Sequence, residues 1–169
     1  MGALTTILLN IHNAGYFPID TMIMGMGIFF GEIAQFCAGI MEWKKGNMFG
    51  SIAFMSYGAF WLSLVFIWIG ADAFGLAKPN NLSMGIYLFM WGLFTLVFFL
   101  QTLNDITIGK LLFFSLFVLF MLLANFNFKG KPLFGKIAGY EGIICGFLAF
   151  YEASAIMIND KYGKDILPM

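Results

Sequence analysis

The chain has 169 residues, 61% of them apolar and 11% charged, with nine lysines, no arginine, nine acidic residues and a net charge of zero. A water-soluble domain carries about a quarter charged residues, so the composition excludes one and predicts a single transmembrane domain over residues 1–169. A neutral chain without basic clusters also offers no footprint for nucleic acid.

The first apolar stretch, Met1–Asn13, is brief for a span and carries Thr5, Thr6, Asn10, His12 and Asn13 before the break at Gly15-Tyr16-Phe17-Pro18. That brevity is expected of a chain that starts inside its first helix. No basic region or cleavage site marks a signal peptide, and Gly2 opens no myristoylation motif. His12 is the single histidine; it reads as the cap of a helix end, with a pH sensor as the alternative, since no second metal ligand stands at suitable spacing. Thr21–Met41 and Met48–Ala71 follow, each about 20 residues and long enough to cross a ~30 Å hydrocarbon layer as a helix. The loop Glu42–Asn47 is too short to leave the membrane surface, so the two spans form an antiparallel hairpin. A Pro- and Asn-bearing loop around Lys78-Pro79-Asn80 leads to Leu82–Leu103. Ile106–Phe128 comes after the break at Asn104-Asp105, and Phe134–Ile158 after Lys129-Gly130-Lys131-Pro132.

The expected fold is therefore all-α and integral to the membrane, a bundle of six transmembrane helices with both termini on one side. Lys44, Lys45, Lys110, Lys161 and Lys164 share that side, against Lys78, Lys129, Lys131 and Lys136 on the other, which leans toward cytoplasmic termini. Small residues recur at helix-packing spacing: Gly27, Gly31, Ala34 and Ala38 in the second span, Gly142, Gly146, Ala149 and Ala153 in the sixth. The Phe and Trp residues read mostly as lipid-facing bulk, with Trp43 and Trp68 as interfacial anchors. Cys37 and Cys145 read as buried small apolar side chains.

Glu32, Glu141 and Glu152 lie inside apolar spans, where a charge costs at least ~2.5–3.5 kcal/mol, so each should face protein or water or carry a proton. Glu141 and Glu152 are eleven residues apart and share one helix face to within ~20°. They are either a proton-exchanging pair beside a polar path or two interfacial groups bonded to neighbouring helices. Nothing resembles a nucleophile–base set, a phosphate loop or a metal cluster, so transport is expected rather than catalysis, with no cofactor. With no cation near mid-membrane, an anion would be met by Thr5, Thr6, Asn10, Gln35, Ser56, Tyr57, Thr95, Ser115 and Asn125. A carboxylic acid, with a pKa near ~4 to 5, would cross an apolar pinch more easily when protonated, so uptake is expected to be faster at acid pH.

Thr5–Gly15, Gly31-Glu32-Ile33-Ala34-Gln35, Glu42–Asn47, Ser56–Trp61 and the closing Leu167-Pro168 resemble the succinate–acetate permease (acetate uptake transporter) family over essentially the whole chain. The resemblance implies a homohexamer in the cell (inner or plasma) membrane, with a path for acetate and succinate through each protomer. It implies a constriction whose Tyr matches Tyr57 and whose Leu matches Leu116, while its Phe would fall at Gly2. Ala149 matches a small pore-side position that sets which acids fit. The family's Asn-Pro-Ala-Pro-Leu-Gly-Leu signature is missing, and Glu32 and Glu152 stand where many relatives carry smaller or apolar residues. The competing expectations are a urea or short-amide channel of similar six-helix plan and a membrane scaffold.

Overall fold

A computed structural model describes residues 2–104 and 107–168. The helices are α1 (Ala3–Asn13), α2 (Thr21–Lys44), α3 (Met48–Phe74), α4 (Asn81–Gln101), α5 (Thr107–Lys129) and α6 (Pro132–Tyr162), with no strand among the described residues. The expected helix starts at Met1 and Ile106, and Asp105 of the expected loop, lie outside the described residues. Five helices, α2 to α6, are long and apolar enough to cross a membrane. At 1.5 Å per residue the 11 residues of α1 reach only about 16 Å, roughly half a bilayer core.

Local chemistry sets the helix ends. Asp20 Oδ1 accepts from the N–H groups of Met22 (3.1 Å) and Ile23 (3.2 Å), capping α2. Asn47 caps α3 through Gly50 N–H at 3.0 Å, and Asn80 caps α4 through Ser83 N–H at 2.8 Å. Glu42 closes the hairpin loop by accepting from Asn47 Nδ2 (2.7 Å) and Lys45 Nζ (3.3 Å). Two helices outrun their apolar stretches. α3 continues past Ala71 through the exposed Asp72, and α6 runs from Pro132 through Asn159-Asp160-Lys161, because a polar residue at a helix end does not break it. Each stops at a glycine in the left-handed region, Gly75 (φ 66°) and Gly163 (φ 63°).

α1 lies between α6 and α2; α2 pairs with α3, α4 with α5, and α5 with α6. Small residues allow the close approaches. A Cβ on Gly142 would overlap the Asn10 side chain, one on Gly146 would stand 3.0 Å from Ile7 N, and one on Gly139 would meet the Asn13–Ala14 backbone. On α2, Gly31 lies under the Trp61 indole and Gly27 under Val65, both of α3. The same stretch, Met26–Ile33, is wound as a π-helix, a geometry that apolar periodicity does not reveal. Thr5 of α1 donates to the Met26 carbonyl at its start (3.3 Å).

Between α3 and α4 the join is made by large aromatic side chains, and four aromatics are exceptions to the mostly lipid-facing expectation. Phe60, Phe98 and Phe120 are buried, together with Trp61. The outer surface is still apolar, with Phe29 70%, Ile144 61% and Phe147 57% exposed, as lipid contact requires. Cys145 is buried as expected, but Cys37 is exposed, on the outward side of α2.

Candidate functional site

Tyr57, in the middle of α3, points into the bundle. Its ring lies 5.8 Å from Phe98, 6.3 Å from Trp91 and 6.4 Å from Phe113, centroid to centroid, so α3, α4 and α5 meet around it. Its hydroxyl lies 3.0 Å from Thr95 Oγ1. Thr95 has one hydroxyl proton and donates it to the Trp91 carbonyl at 2.8 Å, so the Tyr57 O–H must be the donor to Thr95. One helical turn away, Phe60 packs edge-on against Trp91 (5.2 Å) and Phe120 (5.2 Å) and stacks on Tyr87 (6.0 Å). Tyr87 in turn lies 2.7 Å from Ser63 Oγ. Leu116, half-buried on α5, packs against this cluster. Tyr57 and Leu116 therefore belong to one aromatic girdle across the centre of the bundle.

The remaining candidates are distributed around it. Thr95 and Ser115 are buried at the girdle, and Ser56 is half-buried beside Tyr57. Thr5, Asn10 and Gln35 are buried on the α1–α2 side. Several polar groups are spent on their own helix: Thr6 Oγ1 donates to Gly2 O (2.9 Å), Asn10 Nδ2 to Thr6 O (2.9 Å) and Asn125 Nδ2 to Met121 O (2.9 Å). Ala149 is half-buried on α6. At Gly2, where the resemblance would put an aromatic ring, a Cβ would press on the Gln35 amide and lie 3.5 Å from Trp61 Nε1. Gln35 and Trp61 thus fill that corner, an arrangement no local pattern reveals. His12 does act at a helix end: its Nδ1 lies 2.8 Å from the Phe17 carbonyl, which can only accept, so Nδ1 carries the proton.

The three intramembrane carboxylates have unlike surroundings. Glu32 sits on the π-wound stretch of α2 with its side chain half-exposed. Glu152 of α6 reaches α5, its Oε1 3.4 Å from where a Cβ on Gly109 would stand. Glu141, also on α6, accepts a hydrogen bond from Ser115 Oγ on α5, while its other oxygen, Oε2, is buried with no partner. Of the two ion pairs among the described residues, Lys45–Glu42 and Lys78–Asp72, neither enters the bundle. The described residues hold no cluster of three or more groups able to bind a metal.

Comparison with known proteins places the chain in context. The model of the GPR1/FUN34/yaaH family matches residues 2–164. The "Succinate-acetate/proton symporter SatP" of Escherichia coli (strain K12) is 48% identical over 166 residues, covering 98% of this chain and 88% of that protein. A solved structure, that of the bacterial acetate channel SatP, superposes with a TM-score of 0.97 at 47% identity, over 99% of this chain and 92% of that one. The more distant "Ammonia transport outward protein 2" of Saccharomyces cerevisiae is 37% identical over 161 residues, 90% of this chain and 57% of that protein.

Proposed function

Because the chain belongs to the GPR1/FUN34/yaaH family, we propose that it is a multi-pass membrane permease for acetate and succinate, moving them together with protons through a path in each protomer. The observation that carries this reading is the girdle: a single tyrosine, tied by its hydroxyl to Thr95, stands where three helices meet and large aromatic side chains bridge them. A carboxylate passing such a ring loses water at a cost of several kcal/mol unless a proton neutralises it, which suits proton-linked movement. The near-full-length likeness to a protein named for succinate, acetate and protons supports the same cargo, and nothing favours an amide over a carboxylate.

In this reading Tyr57 and Leu116 form the constriction. Gln35 and Trp61 occupy the corner that an aromatic would take in relatives, and Ala149 tunes the width of the path. Thr5, Thr6, Asn10, Ser56, Thr95, Ser115 and Asn125 supply weak, repeated polar contacts, which conduction needs because a site that binds tightly does not release. The protomer counts α1 as its sixth transmembrane element, assembles as a homohexamer, and sits in the cell membrane with cytoplasmic termini. Proton linkage needs a group that gains and loses a proton on the way; Glu32, Glu141 and Glu152 are the carboxyls the spans offer.

Reconstitution of the purified protein into vesicles tests the assignment. Tyr57→Ala should change labelled acetate flux while leaving urea flux at background. Acetate entry equal to that of empty vesicles, for both proteins, would remove the permease reading.

A further inference from the structure

Among the three carboxyls, one is built differently. Glu141 Oε1 accepts the hydroxyl of Ser115, and Oε2 is sealed in the interior without any donor. Neutral buried oxygens find partners in nearly every protein, so an orphaned carboxyl oxygen calls for a specific explanation. With Ser115 donating to Oε1, a proton on this carboxyl sits on Oε2; with the proton on Oε1, the Ser115 hydroxyl accepts it instead. The pair is also next to the girdle. Ser115 directly precedes Leu116, and Cys145, one turn along α6, lies beside Ser115 and Glu141 on one side and Tyr57 on the other.

The groups facing Glu141 are few. α5 presents the Ser115 hydroxyl. α1, packed on the adjoining face of α6, sets Ile7, Asn10 and the Asn13–Ala14 backbone against Gly146, Gly142 and Gly139, and none of these groups titrates. Its own helix offers the Cys145 thiol, and α3 the Tyr57 phenol beyond it. Neither ion pair of the described residues reaches it. A full unit of charge therefore appears or vanishes at Glu141 with no ion-pair partner among the described residues. Among the described residues, no other side-chain oxygen or nitrogen is buried without a partner.

We infer that Glu141, oriented by Ser115, is the group that hands a proton to the passing carboxylate at the constriction. The inference rests on the permease reading. The step balances for acetate: the O–H bond of the Glu141 carboxyl breaks, an O–H bond forms on acetate, and neutral acetic acid passes Tyr57 and Leu116; the succinate dianion given the same proton passes as singly charged hydrogen succinate. The acid releases the proton to water beyond, and Glu141 takes another from the entry side.

A pH profile separates this role from a structural one. In vesicles, initial uptake of labelled acetate is measured at fixed total acetate across about two pH units above the acid's own pKa. If Glu141 supplies the proton, Glu141→Gln leaves only acid already protonated in bulk water, a fraction that falls about tenfold per pH unit. The deficit of Glu141→Gln relative to the parent protein then widens with pH, and Glu141→Asp, which keeps a proton at the site, narrows it again. A deficit that is absent, or the same factor at every pH, overturns the assignment. Should the Gln variant fail to insert, Ser115→Ala takes its place: the carboxyl remains but loses its donor, so the pH profile moves, and an unmoved profile overturns the proposal. Parent protein that takes up no acetate at any pH sinks the permease reading, and the assignment with it.

Discussion

At the scale of single residues, Tyr57 does two separable things. Its ring fills the centre of the girdle, and its hydroxyl fixes that ring by donating to Thr95. Tyr57→Phe keeps the ring and loses one hydrogen bond, worth about 1 kcal/mol. Tyr57→Ala also leaves a cavity, at a cost of about 3–5 kcal/mol for a large aromatic. Unfolding in detergent should rank the variants in that order, with acetate flux changing far more for Ala than for Phe; equal flux changes would show that the hydroxyl, not the ring, sets the passage. Tyr57 was legible from its motif, whereas Thr95 appeared only as one polar residue among many. Their pairing depends on two helices whose separation no local pattern encodes.

At the scale of helices, the glycines divide by what faces them. Gly142 has the Asn10 carboxamide against it, while Gly25, also helical, has nothing within 4 Å of a would-be Cβ. Gly142→Ala should therefore destabilise by about 1–3 kcal/mol through overpacking. Gly25→Ala should stabilise by about 0.4–1 kcal/mol by restricting the unfolded chain. Opposite signs in thermal melting check the pair; a shared sign would mean that α1 does not seat on α6 as described. At the far end of α6, Asn159 holds the following segment: Oδ1 accepts from Ile166 N (2.8 Å) and Leu167 N (2.9 Å), and Nδ2 donates to Leu167 O (2.8 Å). Tyr151 adds a bond to Pro168 O (2.7 Å). Asn159→Ala should free residues 163–168 to proteolysis with little effect on the melting of the spans; protection equal to that of the parent protein would show the clasp to be dispensable.

At the scale of the molecule, zero net charge and a bundle that holds neither of the described ion pairs lead to one expectation about pH. Carboxylate that moves with a proton should enter faster as the outside is acidified at fixed total acid, and dissipating an inward proton gradient should abolish accumulation. A one-unit gradient corresponds to about tenfold accumulation for one proton per acid. Labelled acetate in vesicles with set internal and external pH measures it, and accumulation indifferent to the gradient would exclude symport.

Composition by itself determined that the chain is a membrane protein, because a surface with 11% charged residues cannot face water, and run length with polar breaks marked where its helices lie. Short motifs carried the family, and with it Tyr57 and Leu116. Only the tertiary structure decided the rest: that the aromatics Phe60, Trp61, Phe98 and Phe120 fill the interior instead of facing lipid, that Cys37 faces outward, that Gln35 and Trp61 meet at Gly2, and that Glu141, among the described residues, keeps a buried, unpartnered oxygen. The reason is physical. Lipid and a protein interior are equally apolar, so hydrophobicity cannot tell an inward phenylalanine from an outward one, and only packing between helices distant in sequence assigns each side chain its face.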